Sequence, residues 1–280
     1  QLSLDRTETY LDQDQYNLEA IFFAMAIHSW LAQFYDEGGQ TLKALGAAKK
    51  AYHYMKIGFG LLDENPEFYF STGLYNYYRV QYPESNPVYK PFVWFFREGD
   101  KALGLKQLDH ASFEAVFTKA EALMYLAHIY LRYENNPLLA TRYSGRLVKM
   151  YPKNTFFKVT YTEALLADDK HDSAKILIEK LVASKKDFYR MSGEIFYGIY
   201  LEKHLQKYGM AKDHYLEALT IGETLGARAD NKKSLAYAGL ARIAHQKGDV
   251  EEAKDYYRKA IKLAQYDQVK KEGKSYLRAN

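Results

Sequence analysis

The chain of 280 residues contains no cysteine. Disulfides, thiolate catalysis and cysteine-bearing zinc sites are therefore excluded. Proline is scarce, with six in all, and three of these (Pro83, Pro87 and Pro91) fall in QYPESNPVYKPF, residues 81–92. Proline removes a backbone donor and restricts the residue before it. A loop or broken helix is expected there, and it is the best candidate for a subdomain boundary. Long hydrophobic runs are also missing: no window approaches the roughly 18 uninterrupted apolar residues of a membrane span. The most apolar early stretch, AIFFAMAIHSWLAQF (20–34), contains His28, Ser29 and Gln33. It has no basic flank before it and no clear cleavage site after it, so it does not read as a signal peptide. The chain starts at Gln1 rather than Met, which is the sole basis for expecting an exported or periplasmic location. Charge of one sign is absent as well: Lys and Arg number 39 against 35 Asp and Glu, a net charge of +4. Basic residues thicken only in KKEGKSYLR (270–278), which reads as a solvated terminal helix. A nucleic-acid binder would need a longer basic stripe with stacking aromatics, so nucleic acid is not expected as a partner.

Catalytic and cofactor motifs are missing in turn. GDKALGL (99–105) has two glycines five apart, but Leu105 stands where a phosphate loop needs lysine. GFGLLD (58–63) lacks the third glycine of a dinucleotide fingerprint, and neither HExxH nor Gly-x-Ser-x-Gly occurs. DDKHD (168–172) gathers Asp168, Asp169, His171 and Asp172, a possible divalent-ion cluster. It falls on an inter-helix turn, where such residues cap and solvate, so no metal site is assigned. His128, His204, His214 and His245 sit in helical patterns, and Glu251–Glu252 favour the dipole at a helix start. No catalytic residue and no cofactor is assigned.

What is present is helical periodicity and a repeat. SLAYAGLARIAHQKGDVEEAKDYYRKAIKLA (234–264) reads as helix, turn, helix. Tyr237, Leu240, Ala241 and Ala244 share one face. Gly248 and Asp249 make the turn, and Ala253, Tyr257 and Ala260 line the second helix. Upstream, Ala140 and Ala174 stand 34 residues apart, and Ala211, Tyr215 and Ala218 repeat the second-helix face after longer loops, GARADNKK (226–233) among them. GDKALGLKQLDHA (99–111) fits a turn and second helix, with Gly104 in the small position. Short side chains at these positions let the helices of a hairpin approach closely.

This spacing resembles the tetratricopeptide repeat, a helix–turn–helix unit of 34 residues. Residues 99–267 carry the resemblance most clearly, and Gln265 stands where the pattern has proline. It implies an all-α fold: a right-handed superhelical solenoid of about seven or eight hairpins, closed by a C-terminal capping helix. The expected organisation is divergent hairpins over 1–82, a proline-rich loop and next-hairpin start over 83–98, the repeat array over 99–267, and a basic capping helix or tail over 268–280. In the first part, residues 47–66 read as a second helix ending at Pro66, and 69–82 as the following first helix. GLYNYYRVQYP, the proline loop and GDKALGLKQL are also similar to a mitochondrial outer-membrane repeat family linked to lipid-droplet and inclusion-body clearance.

The run FYFSTGLYNYYRVQYP (68–83) is dense in aromatic rings. Phe68, Tyr75, Tyr78 and Tyr82 are expected on one helical face, and Phe70, Leu74 and Tyr77 on a neighbouring one. Packing is the expected role of most of the cluster Tyr75, Tyr77 and Tyr78, with some polar tips facing a groove. The resemblance implies a concave face lined by first helices. On it would lie Tyr125, Ile129, Arg132 and Tyr133, then Lys203 and His204, then Arg242, His245 and Gln246. Such a lining suits an acidic peptide or a chain carboxylate. The expected function is a non-enzymatic scaffold for a protein or peptide partner. Arg132→Ala with Arg242→Ala is expected to weaken capture and leave stability nearly unchanged. Two other readings remain open: an enzyme or small-ligand receptor with an aromatic pocket near 68–96, and a membrane-surface adaptor using Phe92, Val93, Trp94, Phe95 and Phe96, for which a membrane partner is the less expected case.

Overall fold

A computed structural model describes residues 2–85, 90 and 96–280, and no β-strand occurs among them. The helices are α1 (Leu2–Gln13), α2 (Leu18–Glu37), α3 (Thr41–Gly58), α4 (Glu67–Ser85), α5 (Lys101–Glu114), α6 (Lys119–Arg132), α7 (Pro137–Met150), α8 (Thr155–Ala167), α9 (His171–Val182), α10 (Asp187–Ile199), α11 (Tyr208–Gly222), α12 (Asp230–Gln246), α13 (Val250–Leu263) and α14 (Asp267–Ala279). A π-turn, Tyr200–His204, extends α10, and a 3₁₀ segment, Glu223–Ala229, leads into α12. Two compact units result, Gln1–Leu123 and Met124–Asn280, divided within α6. Of the expected boundary segment 83–98, residues 86–89 and 91–95 lie outside the described residues, including Pro87, Pro91 and the Phe92–Phe95 run.

In the first unit, α2 packs on α3 and α4 on α5. Ile21, Phe22, Met25 and Phe68 form its apolar centre. The α4–α5 crossing is set by two glycines. A Cβ on Gly104 would sit 2.6 Å from the Tyr77 backbone nitrogen and 2.7 Å from the Gly73 carbonyl oxygen, so the backbones touch only because both positions are bare. A buried amide pair, Asn76 Nδ2 to Gln107 Oε1 at 2.7 Å, fixes the register beside them. Glu67, buried at the start of α4, accepts four bonds from the α5–α6 link. Its donors are the backbone amides of Val116, Phe117 and Thr118 and the Thr118 hydroxyl, at 2.6 to 3.0 Å. One carboxylate thus satisfies three amides ahead of α6 that would otherwise be orphaned.

The aromatic run divides by burial. Phe68 and Tyr77 are fully buried, Tyr75 and Tyr78 half-buried, and Tyr82 exposed. The buried stripe runs through Phe68, Thr72, Asn76 and Tyr77, and Tyr82, expected on one face with Phe68, is exposed. Tyr75 donates to the Arg97 carbonyl at 2.6 Å and stacks on Tyr52, and burial pushes its phenol up from the usual range. Its polar tip therefore holds the chain at Arg97. Two boundaries also differ from expectation. α3 stops at Gly58 rather than near Pro66, where turn bonds such as Gly60 N–H to the Ile57 carbonyl take over. α4 runs through Pro83, which sits in its last turn, so the missing amide costs one helical bond just before the helix ends.

The second unit repeats one hairpin. α7 packs on α8, α8 on α9, α9 on α10, α10 on α11, α11 on α12, α12 on α13 and α13 on α14. The small positions read from the sequence are its contact points: Ala140, Ala174, Ala211, Ala218, Ala253 and Ala260 are all fully buried. Gly248 turns at φ +82°, and Asp249 caps α13 by accepting from the Glu252 amide at 3.0 Å. Residues 226–233, expected as a loop, instead form the end of the 3₁₀ segment and the start of α12, with Gly226 at φ +57° as the break. Tyr215 is wedged between α10 and α12, where a Cβ on Gly198 or Gly239 would lie 2.5 or 2.3 Å from its ring. Its hydroxyl donates to Glu202 at 2.6 Å.

Candidate functional site

The second unit contains a cavity of about 610 Å³ whose wall is built from successive helices. α6 contributes His128 and Arg132, α8 Phe156 and Thr160, α10 Phe188, and the 3₁₀ segment with α12 contributes Arg228, Asn231 and Lys232. Lys262 and Gln265 close it from the end of α13 and the α13–α14 link. Four cationic side chains, Arg132, Arg228, Lys232 and Lys262, therefore face one space. The acid lining it, Asp230, is already paired with Lys233 at 2.8 Å.

The four cations are held differently. Lys232 is buried and ion-paired with Glu163, donates to the Tyr266 hydroxyl oxygen at 3.2 Å, and sits 5.2 Å from the Phe196 ring centre. Burial pushes its ammonium down and Glu163 acts against that shift. Arg132 donates to the Gln265 side-chain oxygen at 3.2 Å, and Gln265 is itself tied through its amide to Asn231 Oδ1 at 2.8 Å. Arg132 thus lines the cavity in a set position, its guanidinium also 5.9 Å from the Tyr266 ring centre. No ion pair among the described residues engages Arg228 or Lys262. His128 Nε2 lies 3.4 Å from the Thr160 hydroxyl. Burial, then Arg132, then Lys232 hold its ring well below the usual imidazole range. Burial and the neighbouring cations thus disfavour the charged form of His128, an environment that favours an incoming anion.

Phe156 and Phe188 stack at 6.4 Å along one wall, and a second, shallower depression of about 490 Å³ opens on their other side. Its lining is Phe156, Phe188, Tyr189 and Leu225, together with Lys186 and Arg228. A third space of about 320 Å³ adjoins Arg132 and Tyr133 and is lined by α14 residues Asp267, Gln268, Lys271 and Glu272.

The residues expected from the sequence fall in several places. Arg132 lines the cavity, and Tyr133 lines the adjoining space with its phenol pushed up by burial. Tyr125 is half-buried. Ile129 is fully buried on the core side of α6 and offers no surface to a partner, because its position falls on the apolar stripe. Lys203 and His204 lie in the π-turn, which rotates them away from the register of a regular helix. His204 stacks on His171 at 4.3 Å, and Lys203 lines a separate small space beside Leu166 and Val269. Arg242 is not a free groove cation. It grips Glu202 through two bonds of 2.5 and 2.9 Å and Glu272 through bonds of 3.0 and 3.3 Å. The expectation that its removal spares stability is therefore corrected: it is the centre of an intramolecular network. His245 contacts the Tyr276 hydroxyl at 3.1 Å, and Gln246 is exposed. Among the described residues no cluster of three metal-ligating side chains occurs, and no helix is long and apolar enough to cross a membrane.

Arg228, Lys232, Lys262, Phe156 and Phe188 were not singled out by the sequence reading. For Lys232 a signal exists: it precedes Ala236, Leu240 and Ala244 at steps of four, so a lysine extends the buried stripe of α12. Reading 226–233 as a loop hid that stripe.

Helices paired in succession, with small residues at each crossing and a cavity walled by alternate helices, define an all-α helical-repeat protein. Over the last such hairpin, residues 235–267 match the model of the tetratricopeptide repeat family. No curated protein matches the sequence. Among solved structures, yeast Tom70 is similar at 13% identity and a TM-score of 0.45, covering 99% of this chain and 57% of its own, so this chain spans little more than half of it. The C-terminal part of a TPR repeat-containing protein from Cytophaga hutchinsonii is similar at 13% identity and a TM-score of 0.42, covering 98% of this chain and 93% of its own.

Proposed function

We propose that the chain is a protein-interaction scaffold without catalysis of its own, and that the basic cavity of the second unit docks an acidic segment or chain-terminal carboxylate of a protein partner. The observation that carries this reading is the convergence of Arg132, Arg228, Lys232 and Lys262 on one space of about 610 Å³. Stacked repeats expose extended concave surfaces suited to a polypeptide, and guanidinium groups bind carboxylates through short charge-assisted bonds. The repeat matched at 235–267 supplies Lys262 and Gln265 from its second helix and exit. No cofactor enters this function.

The test is fluorescence anisotropy of a fluorescein-labelled hexaglutamate peptide against the full chain at low salt. Wild type should bind, with affinity falling as salt rises because the contacts are charge-assisted. Arg132→Ala with Arg228→Ala should weaken binding by at least about tenfold, since each lost bond to a charged group is worth more than a neutral one. Wild-type affinity in that double variant would remove the cavity from the account.

A further inference from the structure

The basic cavity and the apolar depression share a wall: Phe156, Phe188 and Arg228 line both. One space presents cations, and the other presents Phe156, Phe188, Tyr189 and Leu225. Phe156 is 37% exposed, so an aromatic ring faces solvent beside a cluster of positive charge. A purely acidic ligand would leave that apolar surface wet. We propose that the partner segment carries a bulky aromatic or apolar residue adjoining its acidic residues, the acids entering the basic cavity and the ring covering the Phe156–Phe188 shelf.

This inference rests on the cavity reading above and goes beyond it to the composition of the partner. Charge complementarity selects the occupant of the first space, and hydrophobic burial against stacked rings selects that of the second. Because the spaces share Phe156, Phe188 and Arg228, and an extended chain advances roughly 3.3–3.6 Å per residue, the ring should lie within about three residues of the acid. Arg228, which lines both, is placed to hold the acid and lie against the ring at once.

The experiment compares three fluorescein-labelled probes by anisotropy on the full chain: hexaglutamate, the same peptide with phenylalanine at its fourth position, and a six-nucleotide oligothymidylate. The phenylalanine peptide should bind about tenfold tighter than hexaglutamate, a modest return for one ring taken out of water. Tyr189 lines the depression and not the basic cavity, so Tyr189→Ala should erase that difference and leave hexaglutamate affinity unchanged. Leu225→Ser, likewise confined to the depression, should do the same if Tyr189→Ala folds poorly. Equal affinity for the two peptides would overturn the aromatic requirement while leaving the acidic reading intact. Binding of oligothymidylate as tight as that of the phenylalanine peptide would overturn it in favour of a nucleic acid stacked on the same rings. No binding of either peptide would overturn both readings.

Discussion

Arg242→Met should be among the most damaging single substitutions in the second unit, and its cost can be worked from its contacts. Arg242 holds Glu202 through two bonds and Glu272 through two more, while Tyr215 and Tyr257 donate to the same carboxylates at 2.6 and 2.8 Å. Glu202 is 6% exposed, so losing its guanidinium strands a buried carboxylate with a single phenol donor. Breaking a buried pair costs about 3–5 kcal/mol. The Arg242 side chain is 28% exposed, so solvent screens part of this and the low end applies, about 3 kcal/mol. The Glu272 arm, at 32% exposure, adds little. Urea unfolding followed by far-ultraviolet circular dichroism reads the loss as a lower midpoint at unchanged slope. The companion double variant, Glu202→Leu with Arg242→Met, removes both charges and should be more stable than Arg242→Met alone. A cost below about 0.5 kcal/mol for Arg242→Met, within the range of an ordinary surface change, or strictly additive effects in the cycle, would refute the network.

Other outcomes follow from single contacts. Gly104→Ala should cost about 1–3 kcal/mol in the same unfolding assay, because its methyl meets backbone atoms of α4 that can yield only if the hairpin parts. Ala253→Leu should cost a similar amount, about 1–3 kcal/mol, at a position with no exposed surface. Glu67→Ala should loosen the α5–α6 link, which faster amide exchange at Thr118 would register. His128 gives a pH dependence. Its folded value is depressed, so the unfolded chain takes up a proton first as pH falls below about 6.5, and stability falls with it by up to about 1.4 kcal/mol per pH unit until the folded value is reached. His128→Asn should flatten that limb of a stability–pH curve. A bound acidic peptide reverses the local field, so its affinity should rise as pH falls towards that range in wild type and stay level in the variant.

The repeat was legible because its signal is local. Ala140, Ala174, Ala211 and Ala253 mark helix crossings, and a crossing dictates residue size directly. The Gly248–Asp249 turn and the small position at Gly104 were readable for the same reason. The site was less legible. Arg132 was found because it follows the first-helix pattern, but Arg242, in a matching pattern, is consumed by Glu202 and Glu272 from elements 40 and 30 residues away. Nothing local separates a free arginine from one gripped by distant carboxylates. The π-turn at Tyr200–His204 shifted Lys203 and His204 out of register, a change that periodicity cannot foresee. Arg228 and Lys232 were lost through the reading of 226–233 as a loop, where one glycine at φ +57° separates two helical segments.

The most direct test of the central claim is hydrogen–deuterium exchange on the full chain with and without saturating phenylalanine-bearing acidic peptide. Added protection should centre on Ala227–Asn231 and on the α13–α14 link at Ala264–Gln265, the backbone stretches that edge the basic cavity. Protection confined to residues before Met124, or a bound peptide that leaves both stretches unchanged, would contradict the assignment of the cavity as the docking site.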